Sequence, residues 1–244
     1  MNPFVRIVVV GALASSMLCA PCASADENCE PVAERSARNP DQSTLSVATV
    51  CDQPGSRIYV MRATAKDGRT QEKRVEVESE YAPTGSASLI DIDRDGFHEI
   101  EVRGMCGAGP NCEGEIYRAN RDNGRIELFF SGGYSELLVI DGYLVESGRA
   151  SCCSWEYHAY RLQGRSAPLN YDNMDFMVEI GADLDSEQEN APARCTFSRT
   201  ADGARQVMRP PGREWLQLCE VYGDYRLTTP EQARAAEAAA SAQE

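Results

Sequence analysis

Only two histidines, His98 and His158, occur in the 244 residues, so a Ser-His or Cys-His nucleophile has few general bases to draw on. The chain also lacks a phosphate-cradling Gly-Lys-Ser/Thr loop, a His-Glu-x-x-His and a Gly-x-Ser-x-Gly. Nucleotide hydrolysis, zinc-dependent proteolysis and the serine-hydrolase turn therefore have no foothold. Basic residues are scarce: 24 Lys and Arg stand against 38 Asp and Glu, a net charge of -14. Nucleic acid and anionic lipid need clustered basic side chains and are excluded as partners. A basic protein partner, drawn in by electrostatic steering, suits this surface. No apolar stretch reaches the roughly 20 residues of a membrane-spanning helix, so no membrane insertion is expected. A non-enzymatic binding protein is the expected class. The carboxylates leave room for a hydrolase with an unrecognised acid pair, but no spacing singles one out.

Met1 to Ala25 combines one Arg, an apolar run from Ile7 to Leu18 and the small-residue site Ala23-Ser24-Ala25. That is the pattern of a secretory signal peptide, and it predicts an exported protein of the periplasm or medium. Beyond it lie eight cysteines, Cys29, Cys51, Cys106, Cys112, Cys152, Cys153, Cys195 and Cys219. An even number in an exported chain predicts disulfides. Cys29 and Cys51 form an N-terminal pair, Cys195 and Cys219 a C-terminal pair, and the rest a central four. Cys152 and Cys153 either close a vicinal ring or reach two different partners, and Cys106 and Cys112 are the partners expected for them.

The most informative stretch is Leu89 to Val102, in which Asp91, Asp93 and Asp95 alternate and Gly96 follows at once. Three carboxylates on alternate positions of a tight turn converge on one hard cation, while the glycine lets the backbone bend beneath it. The Phe97 carbonyl and the Glu99 carboxylate are expected to complete the ligand set. A helical calcium hand would need a bidentate Glu at the twelfth position, where Val102 stands. Ile100 and Val102 alternate with charged residues, so the loop joins strands. Its bland counterpart is an acidic turn without metal.

Strand-like runs recur from Thr44 to Leu162, separated by Asp67-Gly68, Asn123-Gly124, Gly132-Gly133 and Asp141-Gly142. They predict a mainly β fold over residues 26–228: an antiparallel meander, propeller-like or sandwich-like, with one Asp-rich calcium loop and disulfide braces. Asn170 to Ile180 is expected as an edge strand and Arg213 to Tyr222 as a short apolar strand. Asp183, Asp185 and Glu187 alternate in an acidic loop with no closing glycine. The Ala- and Glu-rich tail, residues 229–244, has no apolar stripe and is expected to be a marginal helix or disordered.

The pattern D-x-D-x-D-G-x-x-[DE], met by Asp91, Asp93, Asp95, Gly96 and Glu99, resembles the calcium loops of FG-GAP and VCBS repeats. A single loop instead of an array points to a compact sheet assembly. Leu89 to Leu162 further resembles exported calcium-binding immunity proteins that neutralise lysozyme-like effectors and are akin to periplasmic lysozyme inhibitors. Those inhibitors share a Ser-Gly-x-Tyr loop that enters the enzyme's cleft, and Ser131, Gly132 and Tyr134 match it. The resemblance implies one structural Ca2+, a lysozyme-type hydrolase as partner, and a partner-binding loop of Ser131, Gly132, Gly133 and Tyr134. The alternative is an envelope interaction module with no inhibitory role, for which Ser131 to Tyr134 is an ordinary glycine turn.

Overall fold

Alternating apolar and polar residues cannot bury one face alone, and this chain solves the problem by laying one antiparallel meander on the next. The structure, a computed structural model, describes residues 29–51, 56–78, 86–107, 109–163, 167–182 and 191–241. The expected signal peptide (1–25) and the alternating acids of residues 183–190 lie outside the described residues.

The first sheet contains β1 (Val32–Arg38), β2 (Thr44–Val50), β3 (Ser56–Thr64) and β4 (Thr70–Glu78) in chain order. The second follows with β5 (Ser86–Ile90), β6 (Glu99–Cys106), β7 (Cys112–Ala119) and β8 (Ile126–Tyr134). The third is seven-stranded: β9 (Glu136–Ile140), β10 (Tyr143–Ser151), β11 (Ser154–Arg161), β12 (Phe176–Gly181), β13 (Ala193–Ala201) and β14 (Ala204–Val207). Its last member, β15 (Tyr225–Leu227), lies parallel to the first half of β13. The sheets pack as layers and do not close into a barrel.

The alternation decides which side chains meet. Leu45 and Val47 of β2 and Tyr59, Met61 and Ala63 of β3 bury against Ile100, Val102, Tyr117 and Ile126 of the second sheet. A second core joins Ile116, Phe130 and Tyr134 of the second sheet to Leu144 and Tyr160 of the third. The far face of the third sheet is covered by the 3-10 helix Arg213–Tyr222, which inserts Trp215, Leu218 and Cys219. Each such fully buried large apolar side chain contributes about 1.5–3 kcal/mol relative to exposure.

Two expectations give way here. Arg213–Tyr222 is helical, not a strand, because its buried residues recur at i, i+3 and i+4. Asn170 to Ile180 splits into a 3-10 turn, Tyr171–Asn173, and β12, which is an interior strand flanked by β11 and β13. The tail forms the helix α1 (Pro230–Ser241). Its start is a capping box: the Gln232 N–H donates to Thr229 Oγ1 at 3.3 Å and the Thr229 N–H to Gln232 Oε1 at 2.9 Å.

Cys29–Cys51 and Cys195–Cys219 are disulfides, as the grouping implied. The central four pair differently from expectation. Cys106 and Cys112 face each other across β6 and β7 and bond to one another, while Cys152 and Cys153 are exposed thiols at the β10–β11 tip. Register is the reason: antiparallel pairing sets Cys106 directly opposite Cys112.

Candidate metal centre

The β5–β6 connection, residues 91–98, turns under the control of two residues with positive φ, Arg94 at 57° and Gly96 at 85°. Gly96 is required twice over. Its backbone lies in the left-handed region, and a Cβ there would meet Pro40 Cγ at 3.0 Å. The Gly96 N–H donates to Asp91 Oδ2 at 3.1 Å and the Phe97 N–H to Asp95 Oδ1 at 2.8 Å, so the carboxylates fix the turn that presents them.

Asp91, Asp93 and Asp95 each offer an oxygen within 4.8 Å of the others, close enough to hold one metal ion. Asp91 Oδ1 and Asp93 Oδ1 are buried and accept no hydrogen bond. Orphaned carboxylate oxygens are costly inside a protein unless a cation or donor meets them. An all-oxygen donor set fits a hard cation.

Arginines from β7 and the turn after it brace the cluster. Arg118 Nη2 donates to Asp93 Oδ2 and Arg118 Nε to Glu99 Oε1, both at 2.7 Å. Arg121 pairs with Asp95 and stacks over the Phe97 ring at 3.6 Å, while Arg118 stacks over Phe129 at 3.7 Å. Hydrogen bonds from Phe97 and Arg121 hold the Asp95 carboxyl below its usual range against the opposing effect of burial.

Glu99 departs from the expected ligand role. It stands outside the three-carboxylate group, only 2% exposed, with one oxygen on Arg118 and the other accepting the Ile92 N–H at 3.1 Å. Burial pushes its carboxyl up to about 7 against the pull of Arg118. Glu99 thus ties both ends of the loop together. Phe97 serves the site through its N–H and its ring.

The loop is also wedged between sheets. The His98 N–H donates to Asn39 Oδ1 at 3.0 Å, 59 residues away in the β1–β2 turn. On the other side Arg118 and Arg121 attach it to the β7–β8 end. A cleft of about 690 Å³ opens there, walled by the β1–β2, β3–β4 and β7–β8 turns, with Phe97, His98 and Glu99 in its lining. Clefts built by several turns on a rigid scaffold are where ligand recognition concentrates. The chain matches no family model, no curated protein and no solved structure.

Sequence reasoning placed the three aspartates but missed Asn39, Arg118 and Arg121. Nothing local marks them, since each reaches the loop from another element: Arg118 from β7, Arg121 from the turn after it and Asn39 from the β1–β2 turn. Ser131, Gly132, Gly133 and Tyr134, expected as a projecting loop, are instead the last residues of β8. Tyr134 is 1% exposed and donates through its hydroxyl to Glu101 Oε1 at 2.7 Å. Gly132 is small because Glu146 Oε1 and Phe130 Cζ would stand 2.4 and 2.6 Å from a Cβ. The Gly133 N–H bonds that same Glu146 oxygen at 2.8 Å. Among the described residues no helix is long and apolar enough to cross a membrane.

Proposed function

We propose that this chain is a calcium-dependent interaction module of the extracytoplasmic space, and that calcium on Asp91, Asp93 and Asp95 organises the adjoining cleft as its ligand seat. The buried, partnerless oxygens of Asp91 and Asp93 carry the reading. An ion that satisfies them also tightens a loop to which two sheets are tied through Asn39, Arg118 and Arg121. Calcium is favoured over magnesium because a cluster of three carboxylates on one turn suits its larger, irregular coordination shell. The three disulfides suit an oxidising compartment and support export. The activity of this site is binding.

The test is thermal unfolding in calcium, magnesium and chelator. Calcium at 100-fold above its Kd stabilises by about 2.7 kcal/mol, a rise in Tm of roughly 5–10 °C for a chain of this size. The same melting curve in calcium and in chelator would sink the proposal. Inhibition of a lysozyme-type hydrolase is a narrower version, favoured by the net charge of -14 against a basic enzyme. It requires a contact surface other than buried Tyr134, and a cell-wall turbidity assay with cationic lysozymes, in calcium and in chelator, decides it.

A further inference from the structure

At the opposite end of β6 from the metal loop, two strand tips are latched together. Asn111, beside Cys112 at the β6–β7 tip, receives the Arg149 N–H on Oδ1 at 2.8 Å and donates through Nδ2 to the Arg149 carbonyl at 3.0 Å. Arg149 belongs to β10, and its Nη2 donates to the Cys152 carbonyl at 2.7 Å. Gly148 lets the tips close, because a Cβ there would stand 3.0 Å from Asn111 Nδ2. One latch therefore gathers the Cys106–Cys112 disulfide from the second sheet and the exposed Cys152 and Cys153 thiols from the third.

We propose that Cys152 and Cys153 form a thiol–disulfide exchange site that acts on the Cys106–Cys112 disulfide across the Asn111–Arg149 latch. The Cys152 thiolate attacks one sulfur of that disulfide. The Cys106–Cys112 bond breaks, a bond from Cys152 to one of the pair forms, and the other cysteine leaves as a thiolate that takes up the proton Cys152 gave up. One disulfide is lost and one gained, so no external oxidant enters the balance. Exchange converts a clip within the second sheet into a covalent link between the second and third. Cys152 is the attacking sulfur because Arg149, the latch residue, holds its carbonyl directly and so seats it at the junction of the two tips. Arg149 adds a cation beside the pair. Cys152 and Cys153 are exposed, and the disulfide presents Cys106 to solvent with Cys112 half-buried, so attack on it is accessible from the surface.

The experiment uses the full folded protein, incubated at pH 8, quenched with acid, blocked with a maleimide and digested with trypsin without reduction. Cleavage after Arg103, Arg118, Arg149 and Arg161 isolates residues 104–118, with Cys106 and Cys112, from residues 150–161, with Cys152 and Cys153. The expected result is a disulfide-linked 104–118/150–161 species from monomeric protein. It should increase severalfold in Cys153→Ser, where Cys152 has no neighbour to release it, and be lost in Cys152→Ser. Separate recovery of the two peptides from wild type and Cys153→Ser, with thiols confined to Cys152 and Cys153, overturns the proposal. So does a linkage found only between molecules.

Discussion

Gly96 and Tyr134 show how single residues carry two opposite lessons about this chain. Gly96 sits at φ 85° with Pro40 against it, so Gly96→Ala forces either a left-handed alanine, which costs about 1–2 kcal/mol, or a shift of the loop from Asn39. The expected outcome is a lower Tm together with weaker calcium binding by titration calorimetry. A variant with native calcium affinity would show that the loop does not depend on this turn. For Tyr134 the sequence left two readings open, a projecting phenol and a ring packed on the sheet, and the ring is packed. Ser-Gly-Gly-Tyr reads as a turn, yet Gly132 makes room for the Glu146 carboxylate and the phenol is the donor to Glu101. Tyr134→Phe should therefore lower unfolding free energy by about 1 kcal/mol, the net worth of a hydrogen bond to the half-buried Glu101 carboxylate, and leave partner binding unchanged. Loss of binding without loss of stability in denaturant titration would restore the residue to an interface.

The elements were most readable where an apolar run was closed off by turn residues. Thr44–Val50 and Glu136–Ile140 appear with the expected bounds, and both are covered on two faces: no residue of the first is exposed, and Leu137 and Leu138 of the second pack on different cores. Arg213–Tyr222 was misread from its apolar content. Its Trp215, Leu218 and Cys219 carry helical spacing, and the disulfide to β13 holds this short 3-10 segment on the sheet. A 3-10 helix has poor hydrogen-bond geometry of its own, so the Cys195–Cys219 bond and Trp215 burial hold it in place. Replacing both cysteines by serine should cost about 2–4 kcal/mol, in line with closure of a moderate loop. Near-ultraviolet circular dichroism should register it as loosened tryptophan packing. An unchanged denaturation midpoint would show that apolar contact alone seats the segment. The site's bracing residues, Asn39, Arg118 and Arg121, were illegible for a different reason. Their partners lie 19 to 59 residues away, and pairing over such distances depends on strand register and on how the first sheet meets the second, which local pattern does not encode.

At the scale of the whole molecule, a buried carboxylate joins the second and third sheets beside their shared apolar core. Glu146 Oε1 accepts the Gly133 N–H of the second sheet, and its Oε2 accepts Tyr160 Oη at 2.6 Å and His158 Nδ1 at 3.1 Å within the third. Burial opposes the charge on Glu146, but His158, Tyr160 and Gly133 outweigh it and hold the carboxyl below its ordinary 4.5. Burial likewise opposes a charged His158. The Glu146 contact, with Glu156 Oε2 3.5 Å from Nε2, outweighs it and lifts the imidazole above its ordinary 6.5. Tyr171 packs against the His158 ring in an edge contact, with centroids 5.2 Å apart. The signs of the two shifts set a window. A depressed Glu146 stabilises above pH 4.5 and loses its contribution as pH falls through the folded value. A raised His158 contributes fully below pH 6.5 and loses its contribution as pH rises through the folded value. Their joint stabilisation is therefore greatest between about pH 4.5 and 6.5. Melting curves of wild type and His158→Gln in saturating calcium isolate it, since their difference removes every group common to both, the Glu99 carboxyl included. The wild-type advantage should shrink from pH 6 toward pH 8, as the charged pair that ties two sheets becomes neutral on one side. A difference that grows with pH would mean that His158 is buried neutral and that Glu146 holds the layers through Tyr160 and Gly133 alone.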